Sequence, residues 1–385
     1  RQRQMCIRDS PYKQLIVIAI VVVLAVALSM VFRYTRFGLA TRAASENEKG
    51  AQVLGYSPDF LAGVNWVIST VVVGLFGVLA AMLNGSTDTL TLTLLVVPAL
   101  AAALLARFNS FIVTLLAGLA IGMGQSWIQL IANKSWFPKS GGTAIPGLET
   151  AVPFLVIIAV LVFRGQSIPV RGSVETIRMP FAPRASHPLA LGAVATAAAV
   201  ATLFLASSDW RIAMTNTIVG VVFCLSLVVL TGYVGQISLM QMTLAGISGF
   251  VLSKVADAHH IPFPFGPIIG AVVAMIVGLL AGLPALRVRG VNLAVVTFAA
   301  AVTIEAVVLN NAAWSGLKGA VVSAPHLFGL HFGPQDSWTK IGGGVGDSPN
   351  PWFGIFALIV VVALVAVVVN LRNSRGGRQM LAVRS

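Results

Sequence analysis

The stretch TRFGLATRAASENEKGAQVLG, Thr35 to Gly55, is polar and rich in glycine and alanine, and it lies between two long apolar runs. Its opening recurs at the far end of the chain. Residues 374–385 read SRGGRQMLAVRS, so that Arg36 aligns with Arg375, Gly38 with Gly377 and Ala43 with Ala382. The second copy reaches Ser385 where the first reaches Glu46. A basic juxtamembrane stretch present twice implies two related membrane units, each presenting the same handle on the same side. Within the first copy Ala40, Ala43, Ala44, Ala51 and Leu54 fall near one helical face, and Gly50 and Gly55 are placed to interrupt or cap it. Small residues on such a face would let another protein approach closely. A positive-inside loop without a partner is the plainer reading of any single basic loop, and the repeat weighs against it.

Outward from this stretch the chain is apolar. Of its 385 residues 57% are hydrophobic and 10% charged, with a mean hydropathy of +0.91, whereas a soluble domain carries about 25% charged residues. The composition is that of a multi-pass membrane protein. The net charge of +13 does not point to nucleic acid, because the Lys and Arg sit in short clusters beside apolar runs rather than along one soluble face. Cys6 in the terminal tail and Cys224 in an apolar run have neither metal-ligand spacing nor an evident pairing. The first apolar run is followed by a basic loop and not by a small-residue cleavage site, so it does not read as a signal peptide. Residues 1–10, RQRQMCIRDS, are polar and join abruptly to a membrane helix; they read as a non-native tail, with the native sequence expected from Pro11.

Crossing a hydrocarbon core of about 30 Å takes roughly 20 helical residues, with about 17 as a minimum. Eleven runs qualify: Leu15 to Val31, Phe60 to Met82, Leu90 to Ala106, Phe111 to Ala132, Gly147 to Phe163, Leu189 to Ala206, Ile212 to Leu230, Ser238 to Val255, Pro267 to Leu283, Val291 to Leu309 and Trp352 to Val369. Unpaired backbone is too costly in lipid and no strand-length alternation suggests a barrel, so the expected fold is all-α, a polytopic transmembrane helix bundle of about eleven spans. Placing the loop after the first span in the cytoplasm puts fifteen Lys and Arg in the inner loops and six in the outer ones. The inner set includes Arg33, Arg36, Arg42, Lys49 and Arg107; the outer set is Lys134, Lys139, Arg211, Lys254, Lys318 and Lys340. That imbalance supports both the orientation and the span count. Residues 164–188 hold four prolines and no apolar periodicity, and read as a cytoplasmic linker between halves 11–163 and 189–385. The outer segments Asn133 to Pro146 and Asn310 to Pro351, rich in Gly, Ser and Pro, read either as part of an external docking surface or as plain solvated connections.

Residue chemistry singles out Gly232 to Gly249 as a transport path. Gln236, Ser238, Gln241, Thr243 and Ser248 are interspersed there with Gly232, Gly235, Gly246 and Gly249, a mixture that a lipid-facing helix does not need. Glycines permit a break or a close approach, and freed backbone groups and amides then line a hydrated cavity. Tight helix packing with Ser and Gln as interhelical hydrogen bonders is the equal alternative. Glu305 is the only acidic residue more than three positions inside a span, Glu149 standing at the very start of its own. At the bilayer centre such a charge costs about 2.5–3.5 kcal/mol, so it should face the bundle, a cavity or a partner, although it lies near enough to the outer end to reach the interface. Asn65, Gln125, Gln129 and Asn292 are weaker path candidates, each as readily a packing hydrogen bond. The chain has no GxxxxGK[ST], HExxH or GxSxG, the His259–His260 pair lacks helical metal spacing, and the run Gly342 to Gly346 fails the dinucleotide pattern. The expectation is therefore a chain that is not an enzyme, with no catalytic or metal residues and no cofactor of its own.

The stretch Thr35 to Gly55, the stretch LTGYVGQISLMQMTLAGISGF from Leu230 to Phe250, the stretch LRVRGVNLAVVTFAAAVTIEAVVLNN from Leu286 to Asn311 and WSGLKGA from Trp314 to Ala320 resemble the permease subunits of bacterial branched-chain amino-acid ABC transporters. Thr35 to Leu130 is similar to the C-terminal part of one subunit and the chain from Leu189 onward to the other. The resemblance implies an ABC-importer permease in the bacterial inner membrane. Two cytoplasmic ATPase subunits would hold the ATP, and an extracytoplasmic amino-acid-binding protein would deliver substrate. In that family the polar loop docks on an ATPase, which assigns coupling to Arg36, Gly38, Arg42, Ala43, Glu46 and Gly55, and in the second copy to Arg375, Gly377 and Ala382. The first half starts without the family's early helices and the second coupling loop ends at Ser385, so truncation at both ends is expected. Two rivals in transport stay open. A ribose-type sugar permease would want more Asn, Asp and Trp in its spans, and an ion-coupled secondary transporter would want midplane Asp or Glu, for which Glu305 alone is poor support. A membrane enzyme acting on lipid would need a His/Asp/Glu or Ser/His cluster at one interface, and none is evident.

Overall fold

The computed structural model describes residues 2–84, 89–108, 110–137, 139–140, 143–145, 147–164, 187–256, 259, 261–285, 291–311, 322, 326–327, 330–331 and 350–384. Most of the linker expected at 164–188 and most of the outer segment 310–351 fall outside these residues, as do WSGLKGA, the basic pair Arg287 and Arg289, and the glycine run 342–346. Most of the outer segment 133–146 is described.

The fold is all-α, and each of the eleven expected spans carries helix. The first half contains α1 (Gln2–Tyr34), α2 (Arg36–Glu46), α3 (Glu48–Val53), α4 (Pro58–Asn84), α5 (Thr89–Leu94), α6 (Val96–Leu105), α7 (Phe111–Ala132) and α8 (Ala151–Arg164). The second contains α9 (Pro188–Leu205), α10 (Ser208–Leu227), α11 (Gln241–Val251), α12 (Phe265–Ala285), α13 (Val291–Ile304), α14 (Pro351–Asn373) and α15 (Arg375–Arg384). Three π-helical stretches extend α10, α11 and α13, at Val228–Tyr233, Leu252–Ala256 and Glu305–Leu309. Strands among the described residues are two residues long, at Lys139–Ser140, Thr143–Ala144, His326–Leu327 and Leu330–His331.

Six of the described helices are long and apolar enough to cross a membrane, and four more apolar helices are shorter. In three of the expected spans the shortfall comes from a break. The run Leu90 to Ala106 is interrupted at Leu95, and α6 restarts so that Pro98 sits in its first turn, where a missing N–H costs nothing. The run from Gly147 opens with a 3-10 turn, Leu148–Thr150, before α8 begins. The run from Ser238 becomes helical only at Gln241. Large apolar side chains such as Val71 and Leu279 stand 66% exposed on the helices. Water would not tolerate that over so much surface, and acyl chains make it favourable.

Backbone proximity divides the chain into two compact units, Arg1–Lys139 with Gly147–Thr176, and Ser140–Pro146 with Ile177–Ser385. In the first, α6 packs on α7 and α8, α1 on α2 and α7, and the short helices α2 and α3 on α4. In the second, α10 packs on α9 and α14, and α11 on α12. The second unit has a core of Leu203, Ile218 and Val361, with Leu203 fully buried. A Cβ on Gly270 of α12 would lie 2.6 Å from the Ser248 carbonyl oxygen of α11, so glycine is what lets these two helices touch.

Candidate functional site

Each unit contains one sharp corner, built the same way. Between α1 and α2 a single extended residue, Thr35, donates its Oγ1 hydroxyl to the Val31 carbonyl at 2.6 Å and accepts the Gly38 N–H at 3.1 Å. Between α14 and α15 a single extended residue, Ser374, donates to the Leu371 carbonyl at 2.6 Å and accepts the Gly377 N–H at 3.0 Å. Each hydroxyl thus ties off the end of one helix and caps the start of the next. The glycines complete the match. A Cβ on Gly38 would collide with the main chain of Phe32, and a Cβ on Gly377 with that of Leu371, the same interval back in each copy. The repeat in sequence is a repeat in structure.

Around the first corner Arg42 turns back on its own helix end, with Nε donating to the Gly38 carbonyl at 3.4 Å and Nη2 to the Arg33 carbonyl at 3.3 Å. Asn47 caps α3, its Oδ1 accepting the Gly50 N–H at 2.9 Å. The helix ends on Gly55 at φ +87°, where the Tyr56 N–H returns to the Ala51 carbonyl at 3.0 Å, a Schellman closure. The expected single face of small residues is corrected. Ala40, Ala44 and Ala51 are buried with Leu61 of α4 and Phe37, while Ala43 is exposed and Leu54 is 74% exposed. The alanines let α2 and α3 seat on α4 of the same unit, which removes apolar surface at once and needs no partner. Turned outward are Arg36, Leu39, Arg42, Ala43 and Glu46, and in the second corner Arg375 and Arg378. Gly38 and Gly377 are buried inside their corners; Ala382 is in α15, and its side chain lies outside the described ones.

The Gly232 to Gly249 segment holds a true break. The α10 helix loosens into π-helix at Val228–Tyr233, Gly235 adopts φ +74°, and the chain is non-helical over 234–240 before α11 begins. Breaking a helix frees backbone groups that must find partners away from water. Here the Gln236 N–H donates to the Leu230 carbonyl at 3.1 Å, the Thr231 hydroxyl to the Gln236 carbonyl at 3.3 Å, and the Met240 N–H to Ser238 Oγ at 3.3 Å. A further bond reaches a distant helix: the Leu239 N–H donates to Thr297 Oγ1 at 3.1 Å. Thr297 lies six residues into α13, about 9 Å along its axis at 1.5 Å per residue, so the break reaches into the bundle and is no surface loop.

Gln236, Ser238 and Gln241 are half-buried here and Thr243 is buried. Gln241 and Ser226 are the polar residues of a cavity of about 470 Å³ whose other walls include Val222, Phe223, Met242 and Phe356. Asn292 opens α13, and its side chain lies outside the described ones. Glu305 is not brought to this cavity. It is exposed on the π-helical Glu305–Leu309 stretch rather than packed inside the bundle, its carbonyl accepting the Asn310 N–H at 2.8 Å. Ser248 belongs to the close packing of α11 on α12. Asn65 donates to the Leu61 carbonyl of its own helix at 2.8 Å and to Thr41 Oγ1 of α2 at 3.5 Å, Gln125 donates to the Glu149 carbonyl at 3.3 Å, and Gln129 is exposed. Among the described residues no three His, Cys, Asp or Glu side chains group as metal ligands.

Two side chains with specific partners escape a reading of the sequence. Thr297 reads as one β-branched residue in an apolar run, with no signal that its hydroxyl oxygen accepts an amide of the break. Arg211, counted with the outer loops, is 2% exposed; its Nε donates to the Leu203 carbonyl at 3.0 Å and its Nη2 to that of Ala206 at 3.3 Å, capping the C-terminus of α9.

Comparison with known protein families gives one match in two segments: the model described as branched-chain amino acid transport system / permease component covers residues 7–161 and again 210–385. No curated protein and no solved structure matches the chain.

Proposed function

We propose, from the fact that this chain belongs to the family of branched-chain amino acid transport system permease components, that it joins two permease halves in one chain and forms the membrane path of an ATP-driven importer. The chain is a multi-pass membrane protein of amino-acid transport. In the reading proposed here residues 11–163 and 189–385 are the two halves, joined by a cytoplasmic linker at 164–188, in a bacterial cytoplasmic membrane. Two ATPase subunits dock on the two corners and hold the ATP, which suits a chain with no P-loop motif of its own. Arg36, Arg42, Ala43, Glu46 and Gly55 meet one ATPase, and Arg375 with Ala382 meets the other, while Gly38 and Gly377 shape the corners that present them. An extracytoplasmic binding protein delivers the substrate. The apolar walls beside Gln241 suit the side chain of leucine, isoleucine or valine, and Gln236, Ser238, Thr243 and Asn292 supply the polar positions near the break, with Glu305 at the outer end of the path.

The observation that carries this reading is the repeated corner. Two hydroxyl caps on two buried glycines recur, one set in each unit, beneath outward-facing arginines. A pair of related cytoplasmic handles suits a pair of ATPase subunits. The test is a pull-down of the chain from membranes with its ATPases identified by mass, repeated with Ala43→Trp, which adds bulk on the outward face without entering the corner. Recovery of an ATPase that falls at least about fivefold in the variant supports the docking surface. Uptake of labelled leucine that persists after every ATPase partner is removed would sink the reading in favour of ion-coupled transport.

A further inference from the structure

The corner helix of the second unit does not end on an inert surface. α15 packs against the π-helical stretch Val228–Tyr233, which leads directly into the break at 234–240. The first unit differs, since α2 and α3 rest on α4, which is continuous helix from Pro58 to Asn84. A π-helix is an under-wound element, held here by the five-residue bond from the Val234 N–H to the Val229 carbonyl at 3.3 Å, and it can slip toward α-helical winding with small displacements of the chain. Whatever displaces α15 therefore bears on the element whose winding sets where the break begins.

At its other end the break is tied to a different helix. Thr297 is 7% exposed, and its Oγ1 accepts the Leu239 N–H while its own hydroxyl hydrogen is satisfied by the Leu293 carbonyl at 3.0 Å. That oxygen has both roles filled within the bundle, and no apolar substitute can take the amide. Resting on the path reading above, we propose that α15 works the break through Val228–Tyr233, and that Thr297 is the positioning residue that latches the break in the arrangement described here. Ile237 lies between the two ends, 44% exposed, so its accessibility reports the state of the break without touching the residues assigned to the path. In this mechanism Gln236, Ser238 and Gln241 move together when the latch opens, because they lie within one tethered segment.

The test uses the full chain in membranes, with Cys6→Ala, Cys224→Ala and Ile237→Cys, labelled by a water-soluble maleimide in inside-out vesicles. Thr297→Val, which keeps the shape and loses the hydroxyl, is expected to change the labelling rate at least about threefold, and Thr297→Ser to keep it within about twofold of the parent. If Thr297→Val does not reach the membrane, Thr297→Ala is read the same way. Equal rates in parent, Val and Ser variants overturn the proposal, as does a Ser variant that behaves like Val, since side-chain volume and not the hydroxyl would then decide. The α15 link is tested by Gly377→Ala and Gly38→Ala: the first is expected to shift Ile237 labelling and the second to leave it unchanged, and the reverse pattern overturns it. Labelling needs neither substrate nor ATPase. Failure of the parent chain to take up leucine would therefore count against the function proposed above and leave the latch to be decided by its own data.

Discussion

A glycine in a polar loop and an arginine near a helix end are ambiguous in a sequence, and here each is decided by backbone atoms. Gly38 and Gly377 align across the repeat, which marks them as equivalent but not as corner residues; that follows only from the approach of Phe32 and Leu371. Arg211 is the sharper case. Counting positive charge by loop places it outside the membrane, because such counting knows position along the chain and not burial. The structure spends its guanidinium on the last carbonyls of α9. Hydrogen bonds to a charged group contribute about 1.5–3 kcal/mol each, so Arg211→Leu, which abandons both carbonyls, is expected to lower stability by at least about 2 kcal/mol. Thermal or denaturant unfolding of the purified chain in detergent would measure it, and a loss below about 0.5 kcal/mol would show that water serves those carbonyls equally well.

At the scale of elements, the length of the apolar runs located a helix at each expected span, yet it could not tell the inward from the outward face of α2. Ala40, Ala43 and Ala44 are chemically equal in a helical projection, and only the presence of α4 distinguishes them. The distinction is testable. Ala44→Leu forces three extra carbons between α2 and Leu61 and is expected to cost about 1–3 kcal/mol, whereas Ala43→Leu, on the exposed face, should stay within about 0.5 kcal/mol. Unfolding of the two variants side by side reads the difference, and equal costs would mean that α2 does not seat on α4. The break at 234–240 was legible as a possibility from its glycines, with tight packing as the competing reading, and both hold in different places. Gly235 opens the break, while Ser248 meets Gly270 in a close helix contact.

For the whole molecule the orientation carries the functional reading, since both corners must lie on the cytoplasmic side to meet a soluble ATPase. A cysteine in place of Lys134, after α7, is expected to react with a membrane-impermeant reagent in intact cells, and one in place of Glu48, in α3, only after permeabilisation. Labelling with the opposite sidedness would remove the corners from the cytoplasm. The class of the molecule, its helical spans and its doubled handle were determined by the sequence alone. Hydropathy over about 20 residues is a sum over neighbours in the chain, and a repeat is a comparison of the chain with itself. What only the tertiary structure decided is which partner each polar group has: Thr35 and Ser374 on their glycine amides, Arg211 on α9, Thr297 on Leu239. The first three are made within eight residues, but the last joins segments 58 residues apart, in a bundle where water cannot satisfy a backbone group. No local pattern of residues encodes that one.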